Sequence, residues 1–439
     1  LSEVRIRKIC LQLSDARAFS TPKQIERSWH MKSTAVFVSL AFLGCAVILA
    51  QNHNGKAGNK GRAVNRPQTT GSATTPVAPG EVRAAVEKGA KWLASVQGAD
   101  GGWGQDGGAH SHVRQTERTE SEGNDVANTA VAALALLRAG SQYQPGVERA
   151  VDFILRRVEA SPADGLSITD VRETQIQRKL GPYIDTFLAS MLLAEIDGTL
   201  AGNNKARVRR GLEKCVAKIE RNQMKDGSWN VGGGWTPLLG TSLASRSLYE
   251  ADRKGVSVNK DVLKRAATYT VRNQKNRDQV GGGAGFGVGS GSGTGRGIGT
   301  VTETVTISGA TRSVKPALPA AAGVDLYQDA QALEQLTRTA EDREKNAKEI
   351  SAINRKLSDA KFVEGYGSIG GEEFFSWLNI SDSLKRSGGK EWREWKTKIT
   401  RKIVALQNND GTWAGHHCIT GRVAVTSAAI LNLSLDREN

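Results

Sequence analysis

A chain of 439 residues, 38% hydrophobic and 24% charged, has material for one large domain or two ordinary ones and is not a low-complexity sequence. Its formal charge is +15, yet no dense Lys/Arg run with interleaved aromatics marks a nucleic-acid surface, so the excess reads first as solubility. Cys10, Cys45, Cys215 and Cys418 include no C-x-x-C pair, which argues against a disulfide framework and a Cys-rich zinc module.

Residues 1–50 carry seven Lys/Arg against three Asp/Glu. Met31-Lys32 precedes an apolar stretch from Ala35 to Ala50, broken only by small residues and Ser39. That order matches the charged and apolar regions of an export signal. The first residue is Leu1, so translation is expected to start at Met31, with 1–30 as upstream sequence. If 1–30 are translated, they form a cytoplasmic segment and 33–50 a short membrane anchor. Residues 31–50 are thus a signal peptide or an anchor. Either way the domain is exported (periplasmic, secreted or tethered), with membrane proximity through 33–50. Residues 51–80 are rich in Gly, Asn, Thr and Pro and read as a flexible linker.

From residue 81 a motif recurs: Gln97-Gly-Ala-Asp100-Gly101-Gly-Trp103, Gln223-Met-Lys-Asp226-Gly227-Ser-Trp229 and Gln407-Asn-Asn-Asp410-Gly411-Thr-Trp413. The shared pattern is Q-x-x-D-G-x-W. Each Gln ends an amphipathic helix, where its amide can satisfy free backbone groups. Asp-Gly supplies a tight turn, and Trp covers apolar surface beside it. The motif is expected to be structural.

Six amphipathic segments follow one another along the chain. They start near Glu81, include Val147–Val158 and Val208–Ile219, start near Asn259 and Asp329, and end with Trp392–Leu406. Between them lie more uniformly apolar segments, which should be buried: Asp125–Leu137, Tyr183–Ile196, Thr241–Tyr249, Pro316–Tyr327, Glu372–Leu384 and Val423–Leu433. Six half-exposed helices around six buried ones make an all-α (α/α)6 toroid over residues 81–439. The fourth amphipathic helix is expected to end at Asn273-Gln274, before a disordered Gly-rich insertion at 279–300. Thr/Val alternation over Thr300–Ile307 suggests a hairpin strand.

The Q-x-x-D-G-x-W copies resemble the QW repeats of squalene and hopene cyclases, whose ring fold is shared with protein prenyltransferase β subunits. Asn124–Thr129, Gly370–Phe374 and His416–Arg422 resemble segments of exported bacterial prenyltransferase and squalene oxidase repeat proteins. The resemblance implies the toroid. It does not bring the chemistry, because the acidic D-x-D-D segment of hopene-type cyclases is missing. Aromatics that would line a carbocation pocket are 5% of residues. The D-x-C part of a prenyltransferase zinc site and the C-G-E-Q of thioester toroids are absent as well.

In such a ring the loops entering the inner helices meet at one mouth. Asp125, Asp185, Glu372, Glu373 and His417 are therefore the candidate catalytic residues, with His416 and Arg422 nearby. Each has a structural alternative. Asp125 can cap its helix, and Asp185 must be paired if buried. Glu372 and Glu373 diverge by about 100° on a helix, which disfavours a carboxylate pair. Three consecutive side chains, His416-His417-Cys418, also diverge, so no metal site and no cofactor is predicted. Cys215 and Cys418 belong to opposite sides of the ring and should not be bridged.

Three functions fit this reading. The first is a cell-envelope binding or scaffold domain for an apolar or peptide ligand or an envelope protein, without nucleic acid. The second is an enzyme acting on an isoprenoid or other lipid. The third is a glycan-processing enzyme using paired carboxylates, by analogy with other (α/α)6 barrels.

Overall fold

A computed structural model describes residues 76–105, 124–199, 203–229, 237–280, 303–307, 310–314, 325–367 and 369–436. All belong to one compact unit, Thr69–Asn439. The expected segments 1–30 and 31–50, nearly all of 51–80, and 281–300 of the Gly-rich insertion lie outside the described residues.

Helices alternate along the chain. The half-exposed α1 (Pro79–Ser95) is followed by the buried α2 (Val126–Ala139). A 3-10 turn (Ser141–Tyr143) leads into α3 (Gln144–Ala160), a short α4 (Gln175–Leu180) and the buried α5 (Ile184–Ile196). Then come α6 (Asn203–Arg221), the inner α7 (Pro237–Arg253), α8 (Lys260–Val280) and a hairpin, β1 (Glu303–Ile307) with β2 (Ala310–Val314), in register Glu303↔Val314 to Ile307↔Ala310. The inner α9 (Asp325–Leu336) precedes three short helices, α10 (Ala340–Lys345), α11 (Ala347–Leu357) and α12 (Ala360–Val363). The inner α13 (Gly371–Ser387), outer α14 (Gly389–Ala405) and inner α15 (Arg422–Leu433) complete the series.

The inner helices pack in a closed cycle: α2 on α5, α5 on α7, α7 on α9, α9 on α13, α13 on α15, and α15 back on α2. They run parallel. Helix starts meet at one end, where the Ala127 N–H donates to Asp185 and the Gly371 N–H to the Ile419 carbonyl. Helix ends meet at the other, where Arg138 pairs with Glu195 at 2.6 Å and the Ser381 hydroxyl with Asn432 at 3.1 Å. The outer helices bury only their apolar stripes, as with Val147, Val151, Ile154, Leu155 and Val158 of α3. The fold is the all-α toroid.

Two boundaries differ from the sequence reading. The fourth inner helix is Asp325–Leu336, not Pro316–Tyr327, and the fifth outer element is the broken α10–α12, not a helix starting near Asp329. Asp329, Gln331, Glu334 and Gln335 look solvent-facing in sequence, yet all are buried. Lys356 meets Asp329 at 2.9 Å, and Ser242 and Arg338 meet Glu334. α8 continues to Val280, beyond Asn273-Gln274.

The three Q-x-x-D-G-x-W segments share one geometry. Each Gln Nε2 donates to the carbonyl of its own turn glycine and to a carbonyl of the neighbouring outer helix. Gln97 reaches Gly101 and Gly146, Gln223 reaches Gly227 and Val262, and Gln407 reaches Gly411 and Ala85, all at 2.8–3.0 Å. Each Asp accepts from the backbone N–H two residues on, and each Trp indole donates back to Leu93, Ile219 or Ile403 of its own helix. The glycines need positive φ (91°, 95°, 89°) and the space, since a Cβ on Gly101 or Gly227 would sit 2.5 or 2.3 Å from the next helix's backbone oxygen. Gln407 ties α14 to α1 across 322 residues of sequence and so joins the last outer helix to the first.

Cations also satisfy helix-end carbonyls, which have no intrahelical partner. Lys214 donates to the Glu159 and Ser161 carbonyls at the end of α3. Buried Lys218 donates to three carbonyls of the following connector, Asp164, Gly165 and Ser167. Lys398 does the same for Leu357 and Ser358.

Candidate functional site

The helix-start end of the inner ring carries two groups of buried acids. The first begins at Trp103, whose carbonyl accepts from the Asp125 N–H and so sets Asp125 at the start of α2. There Asp125 is the N-cap. One oxygen accepts from the Asn128 N–H and the other from the Asn128 side-chain amide, both at 2.8 Å. Asp185, in the first turn of α5, accepts from the Ala127 N–H at 3.0 Å and from Gln177 Nε2 at 2.6 Å. Burial, reinforced by the Asp185 charge, pushes the Asp125 carboxyl from 3.8 to about 7, and burial raises Asp185 too. Every oxygen of this pair is engaged by the protein's own groups.

The second group lies at the starts of α13 and α15. Glu373 accepts from the Gly370 N–H at 2.8 Å, from the Tyr366 N–H at 3.1 Å and from the Tyr327 hydroxyl, and its other face meets His417 Nε2 at 3.2 Å. Burial and the Glu373 carboxylate raise the Tyr327 hydroxyl well above its ordinary value. Glu372 accepts from the Ile419 N–H at 3.2 Å through one oxygen, while its other oxygen has no hydrogen-bond partner among the described residues. Burial, then the Glu373 charge, pushes Glu372 to about 7. Although adjacent helical positions diverge, the two carboxylates converge on His417. The expectation that they would act apart is corrected by the 415–421 loop, which folds back over the start of α13 and brings His417 to both. Gly371 is needed for that approach, because its Cβ would lie 2.6 Å from Ile419.

Glu372, His417 and Cys418 place one ligand atom each within 4.8 Å of one another. Cys418 reaches this position through a positive φ of 52°, uncommon for a side-chain-bearing residue. A carboxylate, an imidazole and a thiol form a donor set suited to zinc, and the partnerless Glu372 oxygen fits a missing ligand. The sequence reading expected His416, His417 and Cys418 to diverge. His416 does turn outward, exposed, but Glu372 supplies the third donor from 45 residues away, which spacing could not reveal. Arg422 also faces away from the acids, toward Asp410 at 3.1 Å and the Trp92 ring at 5.0 Å.

A feature absent from the sequence reading joins the two groups. Helix α4 lies across the ring's mouth. At its start, Gln175 accepts from the Thr420 and Gly421 N–H groups and donates to the Thr420 hydroxyl. Two residues on, Gln177 holds Asp185, and at the end of the helix the Leu180 carbonyl lies against Gly240 of α7. α15 and α7 stand opposite each other in the inner cycle, so α4 bridges the mouth. Its start was legible as the capping box Thr174-x-x-Gln177, with both reciprocal bonds at 3.2 Å. Depressions also lie on the outside of the ring. One of about 530 Å³ lies between the first Q-x-x-D-G-x-W turn and α3, lined by Asp100, Arg149, Asp152 and Arg156.

Residues 69–165 match the family model of the squalene-hopene cyclase C-terminal domain. Squalene–hopene cyclase of Bradyrhizobium diazoefficiens is 40% identical over 70 residues, which are 16% of this chain and only 10% of that enzyme. Type II terpene cyclase MstE from Scytonema, in a variant bound to its geranylgeranyl dihydroxybenzoate substrate, is 10% identical with a TM-score of 0.44, over 81% of this chain and 97% of that one. Its apo form gives 0.32 over 81% and 98%. The likeness to the squalene-hopene cyclase C-terminal domain thus covers residues 69–165, and six inner helices closed inside an outer ring give the chain an α-toroid fold.

Proposed function

We propose that this chain is a binding toroid of the cell envelope, which uses a cyclase-type ring to hold a ligand or partner without cyclising a substrate. The observation that carries it is the tie made by α4 across the mouth. The chain's own residues thereby cross the mouth, with Asp185 engaged in holding that tie and Asp125 in capping its helix. The missing D-x-D-D segment agrees with this. Placement at the envelope rests on the apolar stretch Ala35–Ala50 after Met31-Lys32. Among the described residues no helix is long and apolar enough to cross a membrane.

The test is to purify the full chain, identify co-purifying molecules by native mass spectrometry, and incubate it with squalene and with a geranylgeranyl substrate. Retention of a partner or ligand without a cyclised product is expected. A cyclised product formed at catalytic turnover would refute the proposal.

A second reading, an enzyme acting on a lipid, is favoured by the Glu372, His417 and Cys418 donors. Held there, a zinc ion would supply Lewis-acid activation of a thiol or water. Glu373 would orient His417 through its 3.2 Å contact. Metal analysis of the native chain beside Glu372→Gln decides this reading. Near-stoichiometric zinc lost in the variant supports it, and zinc-free native protein that stays so after zinc is offered removes it.

A further inference from the structure

The far half of the ring, where the inner helices end, is built differently from the mouth. Arg246 of α7 reaches Asn379 and Asp382 of α13 past the intervening α9, so this contact crosses the ring's interior. Arg338, two residues past the end of α9, pairs with Glu334 at 3.2 Å and stacks 3.9 Å over the Tyr249 ring. Burial alone would raise the Glu334 carboxyl, but Arg338, Arg246 and Arg386 together hold it below its ordinary value, so all three guanidiniums share its surroundings. Against these three cations stand Glu334 and Asp382, together with Glu250, which also acts on Arg246 but is partly exposed and shared with a fourth guanidinium, Arg253. Among the described residues of this cluster the guanidiniums thus exceed the carboxylates by one.

The same three helices hold a concentration of unmet polar groups. Both amide atoms of Gln331 and of Gln335 have no hydrogen-bond partner among the described residues, nor do the Ser245 and Ser376 hydroxyls and the Asn379 amide nitrogen. Gln331 and Gln335 are only 2% and 5% exposed. They lie one turn apart on α9, beside Glu334 and Arg338. An unmet buried amide or hydroxyl is costly, and seven such atoms would together cancel the folding stability of an ordinary domain. Something inside the ring must meet them.

From the excess guanidinium and these unmet groups we infer that the interior between α7, α9 and α13 is a binding site for a small free oxyanion of the carboxylate or phosphate class. Arg386, whose Nε has no partner, supplies the unbalanced charge. The Gln, Ser and Asn groups supply the neutral hydrogen bonds that fix orientation. Access is from the helix-end side, where the Arg246 and Asp382 side chains are 15% and 12% exposed. This site is distinct from the mouth and does not depend on the binding role proposed there.

The test is thermal unfolding of the full chain in inorganic phosphate, in acetate and in chloride at matched ionic strength. Saturable stabilisation by phosphate or acetate, but not chloride, is expected, with a rise of about 3–6 °C near saturation. Comparing the two anions separates phosphate from carboxylate. In Gln331→Leu/Gln335→Leu the rise should vanish, while the unliganded midpoint should stay level or increase because two unmet amides are gone. Arg386→Met, at a more exposed position, tests the charge should the double variant fail to fold, and it should also lose the rise. If neither anion stabilises beyond chloride, or both variants respond as the native chain does, the interior holds only water and the inference is overturned.

Discussion

Substitution Gln407→Ala tests the ring-closing tie. The side-chain amide of Gln407 donates to Gly411 and to Ala85, and alanine removes both bonds while leaving the two carbonyls in place. At about 1 kcal/mol per bond the loss is about 2 kcal/mol, a large fraction of the roughly 5–15 kcal/mol that stabilises a typical domain. The inner cycle stays closed through α15 and α2, so the chain should still fold. The effect should be local, falling on α1 and α14. Urea unfolding followed by circular dichroism reads the total, and amide hydrogen exchange reads the place. Exchange through local opening in α1 should quicken about 30-fold, the equivalent of 2 kcal/mol. The matched variant Gln223→Ala should lose as much but quicken exchange in α6 and α8, because its second acceptor is Val262. A Gln407→Ala chain within about 0.5 kcal/mol of the native one, or one whose faster exchange is spread evenly over all three motif sites, would refute the assignment.

Asp125→Asn should flatten the fall of stability with rising pH. A carboxyl raised from 3.8 to about 7 in the folded state binds its proton more tightly there than in the unfolded chain. Its contribution is therefore fully present below about pH 4 and is lost as pH rises through about 7. Asparagine keeps the cap bond to the Asn128 N–H, and the partnerless Asn128 Oδ1 can accept from the new amide after a flip. Urea midpoints measured from pH 4 to 8 check this, and an unchanged slope counts against it. Lys218→Met leaves three connector carbonyls without their ammonium and should cost about 2 kcal/mol, with faster proteolysis between Ser161 and Thr174. Unchanged cleavage there would show that Lys218 does not hold the connector. Gln175→Ala removes the bonds to Thr420 and Gly421 and should speed exchange in α4 and in 419–421 while sparing the Q-x-x-D-G-x-W turns. Equal acceleration in those turns would mean that α4 is not a separate tie.

What the sequence made legible follows from which interactions are local. The toroid could be read because outer helices carry one apolar stripe and inner helices are apolar nearly all round. That contrast holds in α3 against α5, where Asp185 and Glu195 stand at the two ends of a run that includes Phe187, Leu188, Leu192 and Leu193. It fails in α9, where an inner helix carries Asp329, Gln331, Glu334 and Gln335. Partners on α7 and α11, about 90 and 27 residues away in sequence, meet Glu334 and Asp329 there, and no hydrophobic period encodes them. The candidate site divides in the same way. Asp125 as a helix cap needs only its own turn and could be anticipated. The meeting of Glu372 with His417 and Cys418 depends on the 415–421 loop folding over Gly371, a close approach that depends on glycine. α4 left one local sign, its capping box, but nothing local says that a six-residue helix after α3 should lie across the ring rather than beside it. Its position is fixed by Thr420 and Gly240, on opposite sides of the inner cycle. A substitution at either contact should therefore shift the mouth's dynamics while leaving each helix pair as its own sequence dictates.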